Sequence, residues 1–205
     1  MKISIITVCF NSELTIEETI NSVSSQSYNN VEHIIIDGNS SDKTLKIINN
    51  YKHKIDVIIS EKDKGLYYAM NKGIKLAKGD VIGILNSDDL FYSKNTLNNI
   101  VKHFKSDNNL MLLYGNILYF NSFNSKVIRL WKSKSYFEKF FDYGNVPPHP
   151  SVFAKREIYI NNNFNTDFKI AADYELLIRL LKKERVKSKF LNEIIVKMRD
   201  GGIST

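Results

Sequence analysis

Asp88 and Asp89 stand side by side directly after the apolar run Val81 to Leu85, in VIGILNSDDL, so two carboxylates are placed where a buried strand ends. In an open α/β sheet the carboxyl ends of the strands form the crevice in which ligands bind. Adjacent aspartate oxygens there are hard ligands for Mg²⁺ or Mn²⁺ holding a substrate diphosphate. Asn86-Ser87-Asp88-Asp89 is also good turn sequence, so the pair needs support from elsewhere in the chain. Thr7 and Asp37 close two further apolar runs, thirty residues apart, about the length of one βαβ unit. Consecutive parallel strands bring both to one sheet edge, where a carboxylate can accept the imide N–H of a uracil or the hydroxyls of a ribose. No Gly-x-Gly-x-x-Gly or Walker-type loop follows the first run, which argues against a dinucleotide dehydrogenase or a phosphate-loop NTPase.

The elements that must position these residues alternate over the first 115 residues. Ile3 to Phe10 predicts a strand, and Asn11-Ser12 can cap a helix carrying Leu14, Ile16, Ile20 and Val23. Glu32 to Asp37 is the next strand, Ser40-Ser41 a cap for a helix with Leu45, Ile48 and Tyr51, and Ile55 to Ser60 a third strand. A helix from about Leu66 to Ala77 stops at Lys78-Gly79, Val81 to Leu85 follows as a strand, then a helix with Leu97, Ile100, Val101 and Phe104, then the strand Leu110 to Tyr114. Near-continuous apolar strands between amphipathic helices describe a mostly parallel sheet covered on both faces. Past Gly115 the texture becomes aromatic and alternating, with Ile117 to Phe123 and Lys126 to Trp131 reading as a hairpin around Asn124-Ser125. A helix at about Ala171 to Lys182 and strands at Val186 to Leu191 and Ile194 to Met198 complete the chain. The reading is one α/β domain over 1–205, with a nucleotide-binding half (1–115) and an acceptor-side half (116–205) on one core.

With 205 residues and 43% hydrophobic composition, one sizeable core is available. The single Cys9 lies within an apolar run, so it reads as a small buried hydrophobe in a reducing compartment. The N-terminus lacks a cleavage-site pattern and no run reaches the roughly eighteen apolar residues of a spanning helix, so the expected location is cytosolic. A net charge of +7 suits an anionic partner such as a nucleotide diphosphate, a lipid phosphate or a membrane surface. The basic residues are dispersed and no zinc spacing or RNA-binding aromatic motif occurs, so nucleic acid ranks last. The densest basic cluster, Lys182 to Lys189, falls at a predicted helix end, where cations complement the dipole.

SIITVCFNSELTIEETINSVSSQSY, EHIIIDGNSSDKT, SEKDKGLYYAMNKGIKLAKGD, ILNSDD, PPHPSVFAKREIY, IAADYELLIRLL and GGIS, in that order, resemble the family 2 glycosyltransferases of the GT-A fold, with most similarity to bacterial enzymes of capsule, O-antigen and colanic-acid (lipopolysaccharide-type) assembly. The resemblance implies an inverting, Mn²⁺- or Mg²⁺-dependent transfer of a sugar from a nucleoside diphosphate, with a UDP-sugar first among donors. The implied acceptor is a saccharide hydroxyl, lipid-linked at the inner membrane face in the fullest version of the reading. Residue by residue, it implies Thr7, Asp37, Asp63 and Lys64 near the nucleotide, Asp88 and Asp89 on metal and diphosphate, and Asp173 as the base. Glu61 and Asp63 with Lys64-Gly65 form a loop that also reads as solvated. Asp173 alternatively reads as a helix N-cap, with Glu175 and Arg179 an i,i+4 pair. His149, between two prolines, is a structural hydrogen-bonder or an acceptor contact. Gly201, Gly202 and Ser204 belong to a C-terminal loop that closes over the diphosphate or else frays.

Three positions depart from the family pattern. Asn86 replaces the first acid of Asp-x-Asp, Gly38 replaces a second Asp that some relatives place beside the base, and Tyr68 stands where close relatives often carry Asp. They favour a competing reading, a non-catalytic nucleotide-sugar-fold subunit of a polysaccharide-assembly complex. A sugar nucleotidyltransferase would need a Gly-rich loop where this chain has Cys9-Phe10-Asn11-Ser12.

Overall fold

A computed structural model of the chain describes residues 1–122 and 124–200. Its first half is built on the parallel strands β1 (Ile3–Cys9), β2 (Val31–Asp37), β3 (Val57–Ser60) and β4 (Val81–Ile84), in the order β3-β2-β1-β4. β1, β2 and β4 are buried on both faces, as strands sandwiched between helices must be. Ile6, Val8, Ile34 and Ile36 pack toward Met70 and Ile74 of α3 (Leu66–Leu76) and Leu176 and Leu177 of the helix near the C-terminus. Their neighbours face the other way, Cys9 and Ile35 against Ile16, Ile20 and Ile48 of α1 (Ile16–Ser24) and α2 (Thr44–Asn50), and Ile3, Ile5 and Val81 against Leu97 and Ile100 of α4 (Thr96–Ser106). Each such fully buried aliphatic side chain contributes about 1.5–3 kcal/mol. Cys9 is the buried small hydrophobe expected, its thiol pushed far up by burial and by Asp37 beside it.

Beyond β4 the sheet changes character. β8 (Phe153–Lys155) adds antiparallel to β4 and to β6 (Leu112–Phe120), β9 (Ser188–Arg199) runs parallel to β6, and the short β5 (Leu90–Phe91) pairs antiparallel with β9. β7 (Val127–Trp131) forms the expected hairpin with β6. The sheet of the described residues is therefore mixed, β3-β2-β1-β4-β8-β6-β9-β5 with β7 on β6, its parallel pairings being those among the first four strands and that of β6 with β9. Helix α5 (Arg156–Asn161) follows β8, and α6 (Ala172–Ile178) continues as a π-helical segment, Arg179–Lys183.

Several sequence expectations are corrected. α1 starts at Ile16, its first N–H groups bonded to the Ser12 carbonyl, and Leu14 is 88% exposed rather than on the buried stripe. α2 starts at Thr44, because Ser40 and Ser41 are drawn to Asp37 and Asn11 instead of capping it. Gly79 does not end α3 with a left-handed turn. It is needed because a Cβ there would sit 2.5 Å from the Ser4 amide nitrogen. β6 runs unbroken through Gly115, and the two predicted C-terminal strands are one long β9 whose irregular register absorbs the break near Asn192. Phe123, Gly201, Gly202, Ile203 and Ser204 lie outside the described residues. Among those described, no helix is long and apolar enough to cross a membrane.

Candidate active site

The carboxyl ends of β1, β2, β3 and β4 meet along one edge, with Cys9 in register with Asp37 and Asp37 with Ser60. The loop after β4 is tied down there. Asp89 N–H donates to the Asn86 carbonyl at 3.1 Å, closing a turn, and the Thr19 hydroxyl of α1 donates to the carbonyls of Ser87 and Asp89 at 2.9 and 3.0 Å. Ser12 and Ser87 hydroxyls meet at 2.8 Å. The turn reading therefore holds, and the turn fixes where the two carboxylates sit.

Asp89 is 1% exposed. Its Oδ2 accepts a bond from Asn86 Nδ2 at 3.2 Å, while its Oδ1 and the Asn86 Oδ1 are buried and have no partner. Burial drives the Asp89 carboxyl well above its ordinary range, with Asp88 adding repulsion, and burial also raises Asp88. Arg199 at the end of β9 opposes both shifts. Its Nη2 is engaged by Glu18 at 2.5 Å and its Nε is buried without a partner. Two crowded carboxylates with an orphaned buried oxygen on Asp89, and a second on Asn86, form an all-oxygen donor set that suits a hard divalent cation. Among the described residues no three His, Cys, Asp or Glu side chains cluster as a metal cage, so a cation here would draw its remaining ligands from substrate and water.

The other strand-end residues behave differently. Asp37 is fully buried and saturated: Ser40 N–H, Ser40 Oγ and Ser60 Oγ all donate to it, so its carboxylate knits the β2 and β3 ends together rather than facing open space. Thr7 does not end its strand, which continues to Cys9. It is fully buried, its hydroxyl 3.1 Å from His33 Nε2, so its side chain is not on the crevice surface. Lys72 of α3 bridges Glu61 and Asp63 at 2.6 Å each, leaving Asp63 Oδ2 buried and unpartnered. Lys64 is exposed, and Gly65 enters α3 at φ 146°, a value that only glycine adopts readily.

A second constellation forms where α3 meets α6. Tyr67 is 7% exposed and donates its hydroxyl to Asp173 Oδ1 at 3.1 Å. Burial first, then Asp173, pushes the phenol up to about 12, so it remains a donor at neutral pH. Phe164 stacks on Tyr67 at 5.5 Å, and His149 meets Phe164 edge-on at 5.4 Å with its Nε2 buried and unpartnered. Burial lowers the His149 pKa against an opposing pull from Asp173. Asp173 does not cap α6: the N-cap is Ala171, held in the left-handed region at φ 67°. Among the described residues Asp173 has no ion-pair partner, whereas Glu175 is held by Arg179 through two bonds of 2.9 Å, the i,i+4 pair expected. Tyr67, Thr19, Lys72 and Arg199 were not singled out from sequence. Tyr67 was the most findable, as a polar-tipped ring on the buried stripe of α3 with Met70 and Ile74.

A family model described as Glycosyl transferase family 2 matches residues 4–167. A PGL/p-HBAD biosynthesis glycosyltransferase of Mycobacterium bovis is 24% identical over 98% of this chain and 78% of its own length. An uncharacterized glycosyltransferase of Haemophilus influenzae is 37% identical over 56% of this chain and 46% of its own. Among solved structures, S. aureus TarS 1-349 in complex with UDP superposes with a TM-score of 0.74 at 19% identity, covering 97% of this chain. The mannosyltransferase PcManGT from Pyrobaculum calidifontis, in complex with GDP-Man and Mn²⁺, gives 0.71 at 17% identity over 97% of this chain. The chain spans 60% of that TarS fragment and 56% of PcManGT, and the fold it shares with them is the GT-A fold.

Proposed function

The chain belongs to glycosyl transferase family 2, and from that premise we propose that it transfers a sugar, with inversion, from a nucleoside diphosphate to an acceptor hydroxyl in bacterial surface-polysaccharide assembly. The observation that carries this reading is the state of Asp173, a half-buried carboxylate oriented by the Tyr67 hydroxyl and left without a cation partner among the described residues. Such a group is free to take a proton. The acceptor oxygen attacks the anomeric carbon, its proton passes to Asp173, and the bond to the diphosphate breaks on the opposite side of that carbon. A positioned base of this kind contributes about 10²–10⁴ in rate. Neutral His149, with Nε2 unpartnered beside Phe164, is assigned to the acceptor.

On the donor side, Asp88 and Asp89 would hold Mn²⁺ or Mg²⁺, which when bound supplies charge neutralisation to the departing diphosphate. The loop of Asp63 and Lys64 and the edge knitted by Asp37 are assigned to the nucleotide, Thr7 supports that edge from inside, and Gly201, Gly202 and Ser204 are assigned to closing the site. The TarS structures with UDP and UDP-GlcNAc favour a UDP-sugar, while PcManGT with GDP-Man shows the same fold serving another nucleotide. The halves 1–115 and 116–205 divide donor and acceptor duties, and the acceptor is taken to be saccharide, lipid-linked at the cytoplasmic face of the membrane. The second reading, a non-catalytic subunit, is favoured by Asn86, Gly38 and Tyr68. Release of nucleoside diphosphate from a panel of UDP-, GDP- and dTDP-sugars, with and without Mn²⁺, separates the two. Metal-stimulated release from one donor supports the enzyme, and donor binding with no release from any of them supports the subunit.

A further inference from the structure

β7 presents an unusual surface for a strand facing water. Its partner β6 is buried almost throughout, yet from Val127 to Leu130 every residue of β7 is exposed, with Val127 at 63% and Ile128 at 54%. It pairs with β6 alone, so among the described residues its outer edge offers unpaired backbone donors and acceptors. An apolar edge of this kind marks an interaction surface.

Charge identifies the partner. Between Asp107 and Glu138 the sequence has no acidic residue, and the stretch carries Lys126, Arg129, Lys132 and Lys134. All four are exposed, and none joins an ion pair among the described residues. Asp200, the carboxylate held against the hairpin turn, is engaged by Ser122 and Asn121. Arg129 lies 4.4 Å over the Tyr119 ring, which stacks on Trp131 at 6.5 Å. A second copy is a poor partner, since antiparallel pairing about Arg129 sets Arg129 against its mate and Lys126 against Lys132, and like charges directly opposite destabilise. A negatively charged lipid surface answers both features, taking apolar side chains into its interfacial layer and lysines onto its phosphates.

We propose that the β7 edge docks the protein on an anionic bilayer, with Val127, Ile128 and Leu130 inserted and Lys126, Arg129, Lys132 and Lys134 on the headgroups. This deepens the membrane-face part of the reading above but stands whether or not sugar is transferred. The chain leaving β7 is pinned by Ser133 N–H to Asn116 Oδ1 and by the Tyr114 hydroxyl to the Lys134 carbonyl. It then enters the ring cluster of Phe137, Phe140 and Phe141, which ends on Tyr174, the neighbour of Asp173.

Trp131 is the only tryptophan of the chain, so its emission reports on β7 directly. The full chain is titrated with vesicles of phosphatidylcholine alone or with about one third phosphatidylglycerol. The expected result is association and a blue shift with the anionic vesicles only, weakened by salt. Lys126→Gln with Lys132→Gln should lose roughly thirtyfold in affinity, at about fivefold per lysine. Ile128→Ser should reduce the blue shift. Because these side chains are exposed, circular dichroism should be unchanged. Absence of association, equal association with neutral vesicles, or parent affinity in the double lysine variant would each overturn the proposal. A concentration-dependent dimer dissolved by Val127→Ser with Ile128→Ser, without vesicle binding, would also overturn it and assign the edge to a second copy.

Discussion

Asp37 and Asp89 are both buried aspartates on the carboxyl edge of the parallel strands, one ending β2 and the other in the loop after β4, yet they are in opposite states. Asp37 is saturated by Ser40 and Ser60, whereas Asp89 keeps an oxygen that nothing in the described structure satisfies. The same contrast recurs on α6, where Glu175 is locked to Arg179 and Asp173, among the described residues, accepts a side-chain bond from the Tyr67 phenol alone. Position at a strand end or a helix start does not by itself make a carboxylate a working group. What distinguishes the two kinds is whether the protein has already filled the lone pairs.

The largest expected effect tests the α6 pair. Asp173→Asn should retain donor binding and lose about 10²–10⁴ in turnover, while Glu175→Gln should change turnover little. Steady-state rates on both variants would break the comparison if the losses were equal or reversed.

A smaller effect is expected at the saturated strand end. Asp37→Ala leaves the Ser40 and Ser60 donors without their acceptor in a buried setting, and should lower unfolding free energy by about 1–3 kcal/mol. Denaturant melts read this directly. An unchanged midpoint would mean that Asp37 is not the knot described.

The effect smallest at neutral pH concerns His33, whose imidazole is pushed down to about 3 by burial. It folds neutral and gains a proton on unfolding, so its contribution is intact above the ordinary histidine value near 6.5 and is lost as pH falls from there toward 3. His33→Gln should flatten that part of the stability profile, as melts across the window would show.

Much of the fold was readable because each parallel strand is an apolar run and each helix a periodic stripe. The first four strands, α3 and α4 appear within a few residues of where the pattern places them. What was not readable depended on side chains competing for backbone. The starts of α1 and α2 moved because Ser12, Ser40 and Ser41 spend their donors and acceptors on loop contacts, while Asp42 accepts the Thr44 N–H where α2 begins. The antiparallel insertion of β8 between β4 and β6 carries no local signal, since Phe153–Lys155 is too short for a period. At the site, Asp88, Asp89, His149 and Asp173 were visible by type and place, but Tyr67 and Arg199 were not, because their partners lie about a hundred residues away.

The central claim is that the unsatisfied carboxylates do the work, and Asp89 tests it most directly. Calorimetric titration of UDP into the parent, Asp89→Asn and Asp37→Asn proteins, each with and without Mn²⁺, isolates the contribution of the metal to binding. The account predicts that Mn²⁺ tightens UDP binding in the parent and in Asp37→Asn, and that this gain disappears in Asp89→Asn while the variant remains folded. A full Mn²⁺ gain in Asp89→Asn, or its loss in Asp37→Asn alone, would contradict the account.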